Sequence, residues 1–431
     1  MAVAARARPE TPPKSRRKPK PVEYNILLTA TLCMLAAGAV MVYSASSART
    51  LLEGQGDGTA YLVKYVAYGA VGLVVLEVLA RGGLELLPRL TPALLGASFV
   101  LLVVVKLPGF GVEVNGARRW IVAGPLQFQP SELMKLALVL HAAGVLATRP
   151  ARLQTLGAVI RPLLLVAGAA ILLIVSQPDL GTALVIAFSL GAMLLVAGTP
   201  LALLGKIALA VGVLVLLFAL VDPERASRLT AFVDPWAHAS GSGFQAVQGQ
   251  IALGSGGLFG VGLGESVQKV FYLPEAHTDF ILAVIGEELG AAGICGLLFL
   301  YGMIGYAGLR TAKTAQTRYQ QLLAAGLTGL ILCQALLNVF AVLGIAPLTG
   351  VPLPFISSGS SSLLVLLATM GLLLNIAARS SSHLAVLPRP SGEPVDARGS
   401  GGAESADRGR RDGGARGARA GGRRSAQGRG R

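Results

Sequence analysis

Long apolar runs recur along the chain and are separated by short polar segments. A helix needs about 20 apolar residues to cross a bilayer, and backbone in lipid forms helices because lipid offers no hydrogen-bond partners. The runs that approach this length lie at residues 25–45, 61–80, 91–107, 130–147, 161–177, 180–198, 201–221, 279–304, 319–345 and 362–378. The pattern predicts an all-α polytopic membrane protein with ten transmembrane helices in residues 23–378.

The longest polar interruption lies between the seventh and eighth apolar runs, at residues 222–278. Its end, with the sequence YLPEAHTD, leads directly into the eighth run. An ionisable side chain at the head of a spanning segment is by default a functional hypothesis, because such a group is costly to place there. Asp279 is therefore the first candidate for chemistry, and a role at the helix terminus is the alternative.

Composition agrees with a membrane protein and explains the high net charge. Charged residues make up 14% of the chain, against about 25% in soluble domains. The net charge of +15 comes mostly from the ends: residues 1–22 hold seven Lys/Arg and one acid, and residues 379–431 hold twelve and five. Both ends are rich in Pro, Gly, Ser and Arg, which predicts disordered tails near anionic membrane lipids. They contain no interleaved aromatic residues, so no nucleic-acid binding is predicted.

Loop charge predicts the orientation in the membrane. Lys and Arg concentrate on the cytoplasmic side, so the basic N-terminal tail is predicted to be cytoplasmic. Ten spans return the basic C-terminal tail to the same side. Residues 222–278 then form a large extracytoplasmic loop.

Two shorter segments also place polar side chains on this predicted outer face. Arg118 and Arg119 oppose the positive-inside trend, and arginine suits bidentate phosphate contacts; an interfacial anchor is the alternative. Gln177 and Asp179 lie between the fifth and sixth runs. There Asp179 either lines a substrate pocket or caps the sixth helix.

The long polar segment holds further candidates. Gln248 precedes a glycine-rich stretch, which lacks the preceding strand that a nucleotide-binding loop requires. We predict backbone that packs closely or wraps a sugar-phosphate. Lys269 follows this stretch. In an extended chain Glu275, His277 and Asp279 would point to one side, which suits a divalent metal.

Residues 347–362 form the last polar segment before the tenth run. Its prolines and its serine-glycine cluster predict a re-entrant, non-helical element, which is tolerated at membrane depth only inside protein or beside a wet cavity. Ser357, Ser358 and Gly359 are candidates for holding a sugar or pyrophosphate. A tight outer loop is the alternative.

Four stretches follow one another in a characteristic order: NGARRW with QPSELMKL, QPDLGTAL, residues 243–290, and PLTGVPLPFISSGSSSLL. Through them the chain resembles the SEDS family (shape, elongation, division and sporulation), the peptidoglycan polymerases of bacterial inner membranes. The VYSAS segment and the basic C-terminal tail are more similar to the cell-division branch than to the elongation branch. Where the family usually has SYGGSS, this chain has Ser358 and Ser360 at the aromatic and second glycine positions.

The resemblance implies a ten-helix fold and an inverting glycosyltransferase that polymerises lipid II at the outer face of the cytoplasmic membrane. It implies Asp279 as the catalytic general base. Arg118, Arg119 and Lys269 are then candidate cations for the leaving pyrophosphate, with a divalent cation (Mg2+ or Mn2+) left open. The remaining substrate-binding candidates are Gln177, Asp179, Gln248, Glu275, His277, Ser357, Ser358 and Gly359.

The resemblance also implies partners and a location. A class B penicillin-binding protein, which is a monofunctional transpeptidase, is the implied partner, together with other divisome proteins at the septum. One alternative is an elongation-type polymerase. The other is a lipid II flippase or transporter, for which charge would line both leaflets; the concentration of polar groups on one side favours the enzyme.

Overall fold

The computed structural model describes residues 20–52, 54, 58–114, 116–124, 126–148, 160–221, 223–270 and 272–380. The predicted tails, residues 1–22 and 379–431, lie almost wholly outside the described residues. Their disorder therefore stays a prediction.

Helices make up most of the described chain. Their bounds are α1 (Val22–Leu52), α2 (Ala60–Arg81), α3 (Leu87–Val104), α4 (Pro130–Thr148), α5 (Ile160–Val175), α6 (Leu180–Ala197), α7 (Leu201–Val221), α8 (Pro223–Val233), α9 (Phe244–Ser255), α10 (Ile281–Thr314), α11 (Arg318–Val342) and α12 (Ser360–Ser380). Each of the ten predicted spans coincides with one of these helices.

The helical membrane fold is confirmed, but the number of ten spans is not. Within the described ranges, nine helices are long and apolar enough to cross a membrane, namely α1–α4, α6, α7 and α10–α12. Helix α5 is apolar but has only 16 residues. A helix of 16 residues extends about 24 Å, which is less than the hydrocarbon core of a typical bilayer.

The helices differ in how much protein surrounds them. In α12, 83% of the apolar window is buried inside the protein, and in α11 the share is 72%. In α7 the share is 6%. A helix that is apolar all round but has few protein neighbours needs lipid around it. Helices α11 and α12 therefore belong to the centre of the bundle, and α7 to its lipid-facing periphery.

The long polar segment between α7 and α10 is more ordered than the sequence predicts. Two helices, α8 and α9, occupy part of residues 222–278, together with a short 3-10 turn at Trp236–His238. Helix α9 packs against α10 at Gly249, where an added Cβ would lie 2.7 Å from Cε1 of Phe280. The glycine thus allows the two helices to approach closely beside the head of α10.

A small antiparallel sheet, which the sequence analysis missed, lies between α3 and α4. It consists of β1 (Gly111–Val114), β2 (Ala117–Ala123) and β3 (Leu126–Phe128) in the order β1-β2-β3. Gly116 and Gly124 have φ angles of +73° and +62° at the two turns. The Asn-Gly pair at residues 115–116 is a hairpin signal that would have revealed the first turn.

Helix α10 is interrupted in its N-terminal half. Gly290 has φ +67° and ψ −166°, which breaks the helical backbone. The glycine-rich stretch after α9 fills the gap: Val261 N–H donates to Glu287 O (2.9 Å), and Ala291 N–H donates to Gly257 O (3.0 Å). The backbone groups released by the break are thus hydrogen-bonded, as a buried chain requires.

Glycine is required for this close approach. A Cβ on Gly260 would lie 2.1 Å from the carbonyl oxygen of Glu288, and a Cβ on Gly290 would lie 2.4 Å from the nitrogen of Gly260. Both glycines also have positive φ angles. The predicted close packing of this stretch is confirmed, with the broken turn of α10 as its partner.

The segment between α11 and α12 is non-helical and buried, as predicted. Val351, Leu353, Phe355 and Ile356 are each less than 5% exposed. Its carbonyl groups are hydrogen-bonded by side chains from three helices. These bonds are Asn338 Nδ2 to Val351 O (2.7 Å), Gln334 Nε2 to Pro352 O (3.0 Å), Tyr301 OH to Pro354 O (2.6 Å) and Tyr65 OH to Phe355 O (2.5 Å).

Candidate functional site

Asp279 lies just before α10 and outside the span itself. The N-cap residue of α10 is Phe280, whose side chain makes no capping hydrogen bond. The carboxylate of Asp279 instead accepts a hydrogen bond from the hydroxyl of Thr278 at Oδ1 (3.1 Å). Its side chain is half-buried. This contact gives no support to the alternative in which Asp279 serves mainly as a helix cap.

A second carboxylate approaches the same hydroxyl. Thr278 Oγ1 lies 3.0 Å from Glu275 Oε2, so its single proton serves one carboxylate at a time. Residues 275–280 form turns, and Glu275 has a left-handed φ of +54°. Residues 275–279 are therefore not extended, and the alternative in which Glu275, His277 and Asp279 point to one side of an extended chain is wrong.

The surroundings of Asp279 adjust its acidity. Desolvation by the enclosing protein, with the nearby charge of Glu275, raises the pKa of Asp279 from 3.8 to about 7. The hydroxyl of Thr278 and the positive charge of Arg119 act in the opposite direction. A carboxylate with a pKa near 7 suits proton transfer at neutral pH, because both protonation states are accessible.

The two adjacent arginines, Arg118 and Arg119, have different surroundings. Arg119 is near enough to Asp279 to lower the pKa of its carboxyl group, and Arg119 Nε is buried without a hydrogen-bond partner in the described chain. Arg118 Nε pairs with Glu113 Oε2 at 3.1 Å, and both of these side chains are about half exposed. Successive side chains of a strand point to opposite faces, which explains why β2 brings only one arginine to Asp279.

The predicted serines contact backbone near Asp279. Ser358 donates to His277 O from both its N–H (3.1 Å) and its hydroxyl (2.8 Å). Ser357 Oγ donates to Thr278 O at 2.5 Å. The structure brings these serines to the site, but their hydroxyls are engaged by protein. Gly359 follows them and is half-buried before α12.

A cavity of about 210 Å³ lies beside the turn and is lined by Ala45, Lys269, Leu273, Pro274, Glu275, Ala276 and His277. The His277 ring lies 4.3 Å from the ring of Tyr61, centroid to centroid. Lys269, Glu275 and His277 are thus brought together, as predicted, around one space. Their contacts with substrate stay predictions.

Lys269 also belongs to a buried ion pair. Its Nζ lies 2.8 Å from Glu288 Oε1, 2.7 Å from Gly264 O and 3.1 Å from Ser44 Oγ. These three acceptors match the three donors of an ammonium group. A contact between Lys269 and a phosphate would have to replace one of them.

The described side-chain hydrogen bonds of Gln177 and Asp179 run to other parts of the bundle. Asp179 is the N-cap of α6 and accepts from Thr182 N–H at 3.1 Å, which confirms the capping interpretation. Its other oxygen accepts from Gln129 Nε2 at 2.9 Å. Gln177 donates to Leu102 O at 2.8 Å. These bonds hold helix ends together.

Gln248 lies on α9 and is half-buried. The next residue, Gly249, packs on Phe280, so Gln248 is carried near the head of α10 without a described hydrogen bond of its own. The substrate-binding roles of Gln177, Asp179 and Gln248 stay predictions.

A protein-only metal site is not evident. Among the described residues, no group of three or more His, Cys, Asp or Glu side chains is arranged to hold a metal ion. The divalent cation stays a prediction. Asp279 and Glu275, whose carboxylates approach the same hydroxyl, would be ligands of such an ion.

The fold and this site define a class: a multi-pass helical membrane protein with a poised carboxylate at the head of a broken helix. Comparison with known proteins identifies the family. The family model for FtsW, RodA and SpoVE, described as "Cell cycle protein", matches residues 24–382. The chain belongs to this family, and the resemblance found in the sequence is confirmed.

Relatives match over most of their length. A "Probable peptidoglycan glycosyltransferase FtsW" from Trichlorobacter lovleyi is 39% identical over 364 residues, which cover 84% of this chain and 95% of the relative. A chain from the solved structure "Structural coordination of polymerization and crosslinking by a peptidoglycan synthase complex" is 30% identical, with a TM-score of 0.68, and covers 83% of this chain and 98% of that one. The RodA crystal structure from Thermus thermophilus is 31% identical, with a TM-score of 0.59, and covers 81% and 95%.

Proposed function

We propose that this protein is a peptidoglycan glycosyltransferase that polymerises lipid II at the outer face of the cytoplasmic membrane. The observation that carries the proposal is the environment of Asp279: a carboxylate with a pKa near 7, held in a turn at the head of α10. The close similarity to proteins named as peptidoglycan glycosyltransferases supports the same reaction.

The chemistry follows from the charges. Asp279 removes the proton from the acceptor 4-hydroxyl, and that oxygen attacks the anomeric carbon of the lipid-linked donor chain. The bond between this carbon and the pyrophosphate breaks, with inversion, and undecaprenyl pyrophosphate leaves with the electron pair. Negative charge grows on the leaving group, and Arg119, whose positive charge acts on Asp279, is the cation that we propose opposes it.

Septal wall synthesis is the proposed setting. Similarity to an FtsW from Trichlorobacter lovleyi supports the cell-division branch. Similarity to a chain of a peptidoglycan synthase complex supports a partner enzyme, which we propose is a class B penicillin-binding protein acting with other divisome proteins. We further propose that both termini are cytoplasmic. A fluorescent fusion that labels the side wall instead of midcell would favour the elongation-type alternative.

Polymerisation of purified lipid II tests the enzymatic proposal. Wild-type protein, supplied with its partner transpeptidase, is expected to form glycan chains that are visible on gels. Asp279→Asn is expected to lower the rate by about 10² to 10⁴-fold, the usual contribution of general acid–base catalysis.

The matched control is Glu265→Gln, which removes an exposed carboxylate from the same polar segment. It should polymerise at the wild-type rate. Full activity in Asp279→Asn would refute the assignment, and absence of polymer from the wild type would refute the proposed reaction.

A further inference from the structure

Three consecutive carbonyl groups at the candidate active site are held by side chains from the C-terminal part of the bundle. His277 O accepts from Ser358, and Thr278 O accepts from Ser357. Asp279 O accepts from Asn338 Nδ2 at 2.7 Å. The backbone that bears the reactive carboxylate is therefore fixed at each of three consecutive residues, from His277 to Asp279.

The same side chains also fix the non-helical segment. Asn338 Nδ2 donates a second hydrogen bond to Val351 O at 2.7 Å. Ser357 Oγ accepts from Leu353 N–H at 2.8 Å while it donates to Thr278 O. Both side chains are less than 5% exposed. Each one therefore links the turn before α10 to a second, buried piece of backbone.

The non-helical segment between α11 and α12 is itself held by further hydrogen bonds. Gln334, one helical turn before Asn338, donates to Pro352 O. The hydroxyls of Tyr301 and Tyr65 donate to the carbonyls of Pro354 and Phe355. A support held from α2, α10 and α11 moves little, so whatever is bonded to it is placed reproducibly.

We propose that Asn338, Ser357 and Ser358 form a carbonyl clamp that positions Asp279 for proton abstraction. They act on the main chain and leave the carboxylate itself open to the acceptor hydroxyl. Asp279 has one described side-chain hydrogen bond, from Thr278, so its direction depends on where the backbone is fixed. The role of Asp279 as base rests on the proposed function; the clamp itself is a property of the fold.

Misplacement of a reacting group by about 1 Å can lower a rate by about 10²-fold. Asn338→Leu removes two backbone contacts and is expected to have the largest effect. Ser357→Ala should follow it. Ser358→Ala keeps the N–H bond to His277 and should have the smallest effect.

The kinetic test measures lipid II polymerisation by the full-length variants with the partner transpeptidase. We expect kcat to fall by roughly 10 to 100-fold for Asn338→Leu and Ser357→Ala, with KM nearly unchanged. The acid limb of the pH profile should also move to lower pH, because a loosened turn admits water and reverses the desolvation that raises the pKa of Asp279.

Hydrogen–deuterium exchange provides a readout that does not depend on activity. A peptide covering residues 276–281 should exchange faster in the clamp variants than in wild type. Ser98→Ala is the matched control, because this buried hydroxyl bonds to Leu94 O within its own helix α3. The control should change neither this peptide nor kcat.

The outcomes separate the clamp from the proposed function. Ser357→Ala keeps the test decisive if Asn338→Leu fails to fold. Faster exchange at residues 276–281 with a lower kcat supports the clamp. Unchanged exchange in folded Ser357→Ala and Ser358→Ala overturns it. Faster exchange in the clamp variants, together with a wild type that makes no polymer, would retain the clamp and reject the glycosyltransferase.

Discussion

Two acidic side chains, Glu288 within α10 and Asp279 just before it, have different surroundings. At the break in the helix, Glu288 is fully buried, with Lys269 Nζ 2.8 Å and Ser44 Oγ 2.7 Å from its carboxylate. At the head of the helix, Asp279 is half-buried and accepts one side-chain hydrogen bond, from Thr278. The charge of Glu288 is thus paired within the protein, whereas the turn at Asp279 has a fixed backbone and a half-buried carboxylate.

The contrast separates structural charge from candidate catalytic charge. A buried ion pair is stable only if its partners satisfy it, and breaking one side leaves a charge stranded in the protein. A carboxylate with a strongly shifted pKa in an accessible place is instead a candidate for chemistry. The sequence alone suggested a substrate role for both Lys269 and Asp279, and only the geometry distinguishes them.

The largest expected effect comes from breaking the buried ion pair between Lys269 and Glu288. Lys269→Met leaves Glu288 without its cation and should destabilise the protein by about 3–5 kcal/mol, seen as a lower Tm in detergent. Lys106→Met is the control, because Lys106 is exposed and bonds only Ser176 in the described chain. If Lys269→Met keeps its Tm but loses polymerisation, Lys269 contacts substrate and the comparison fails.

A smaller effect is expected from changes in the glycine-rich stretch after α9, which packs into the break in α10. Gly260→Ala puts a side chain at φ +79°, against the carbonyl of Glu288, and should cost about 1–3 kcal/mol or more. Gly254→Ala, within α9, has nothing within 4 Å of the added Cβ and should be neutral or stabilising by up to about 1 kcal/mol. Thermal unfolding of the two variants side by side measures the difference. Equal Tm values would mean that the close packing at Gly260 contributes little to stability.

The subtlest effect concerns the pH dependence of the reaction. The general base must be ionised, so kcat should fall as the pH falls through the pKa of Asp279, about 7. Arg119 lowers this pKa, and Arg119→Gln should therefore move the acid limb to higher pH. Glu275 raises it, and Glu275→Gln should move the limb to lower pH. Steady-state rates from pH 5 to 9 measure the acid limb of each variant.

Glu265→Gln, the exposed control, should leave the acid limb in place. Shifts in the same direction for Arg119→Gln and Glu275→Gln would contradict the electrostatic account of Asp279. A uniform loss in Arg119→Gln, with no shift, would instead assign this arginine to the leaving group.

The helical fold was predictable because lipid imposes long apolar runs, and the ten runs each coincide with a helix. The sheet was missed because strands of three to seven residues leave little periodic signal. The break in α10 was also missed: Gly290 is one glycine among 55, and nothing local shows that residues 257–262 will occupy the gap.

The site was predicted at the level of Asp279, but its supporting residues were not. Asn338 lies in an apolar span, and nothing in the sequence distinguished it from the other amide side chains there. Ser357 and Ser358 were interpreted as substrate contacts because the hydroxyls and amides of a serine-glycine cluster suit a sugar or pyrophosphate. Only the tertiary structure shows that both hydroxyls donate to backbone.

The break at Gly290 also has an electrostatic consequence, because it makes residues 281–289 a short helix with two ends of its own. The aligned peptide dipoles of such a segment place partial positive charge at its start and partial negative charge at its end. Asp279 lies beside the positive end, and the ammonium of Lys269 lies beside the last turn, at Glu288. The segment is thus a short dipole with a counter-charge at each end, and an unbroken α10 would carry the negative end far from Lys269.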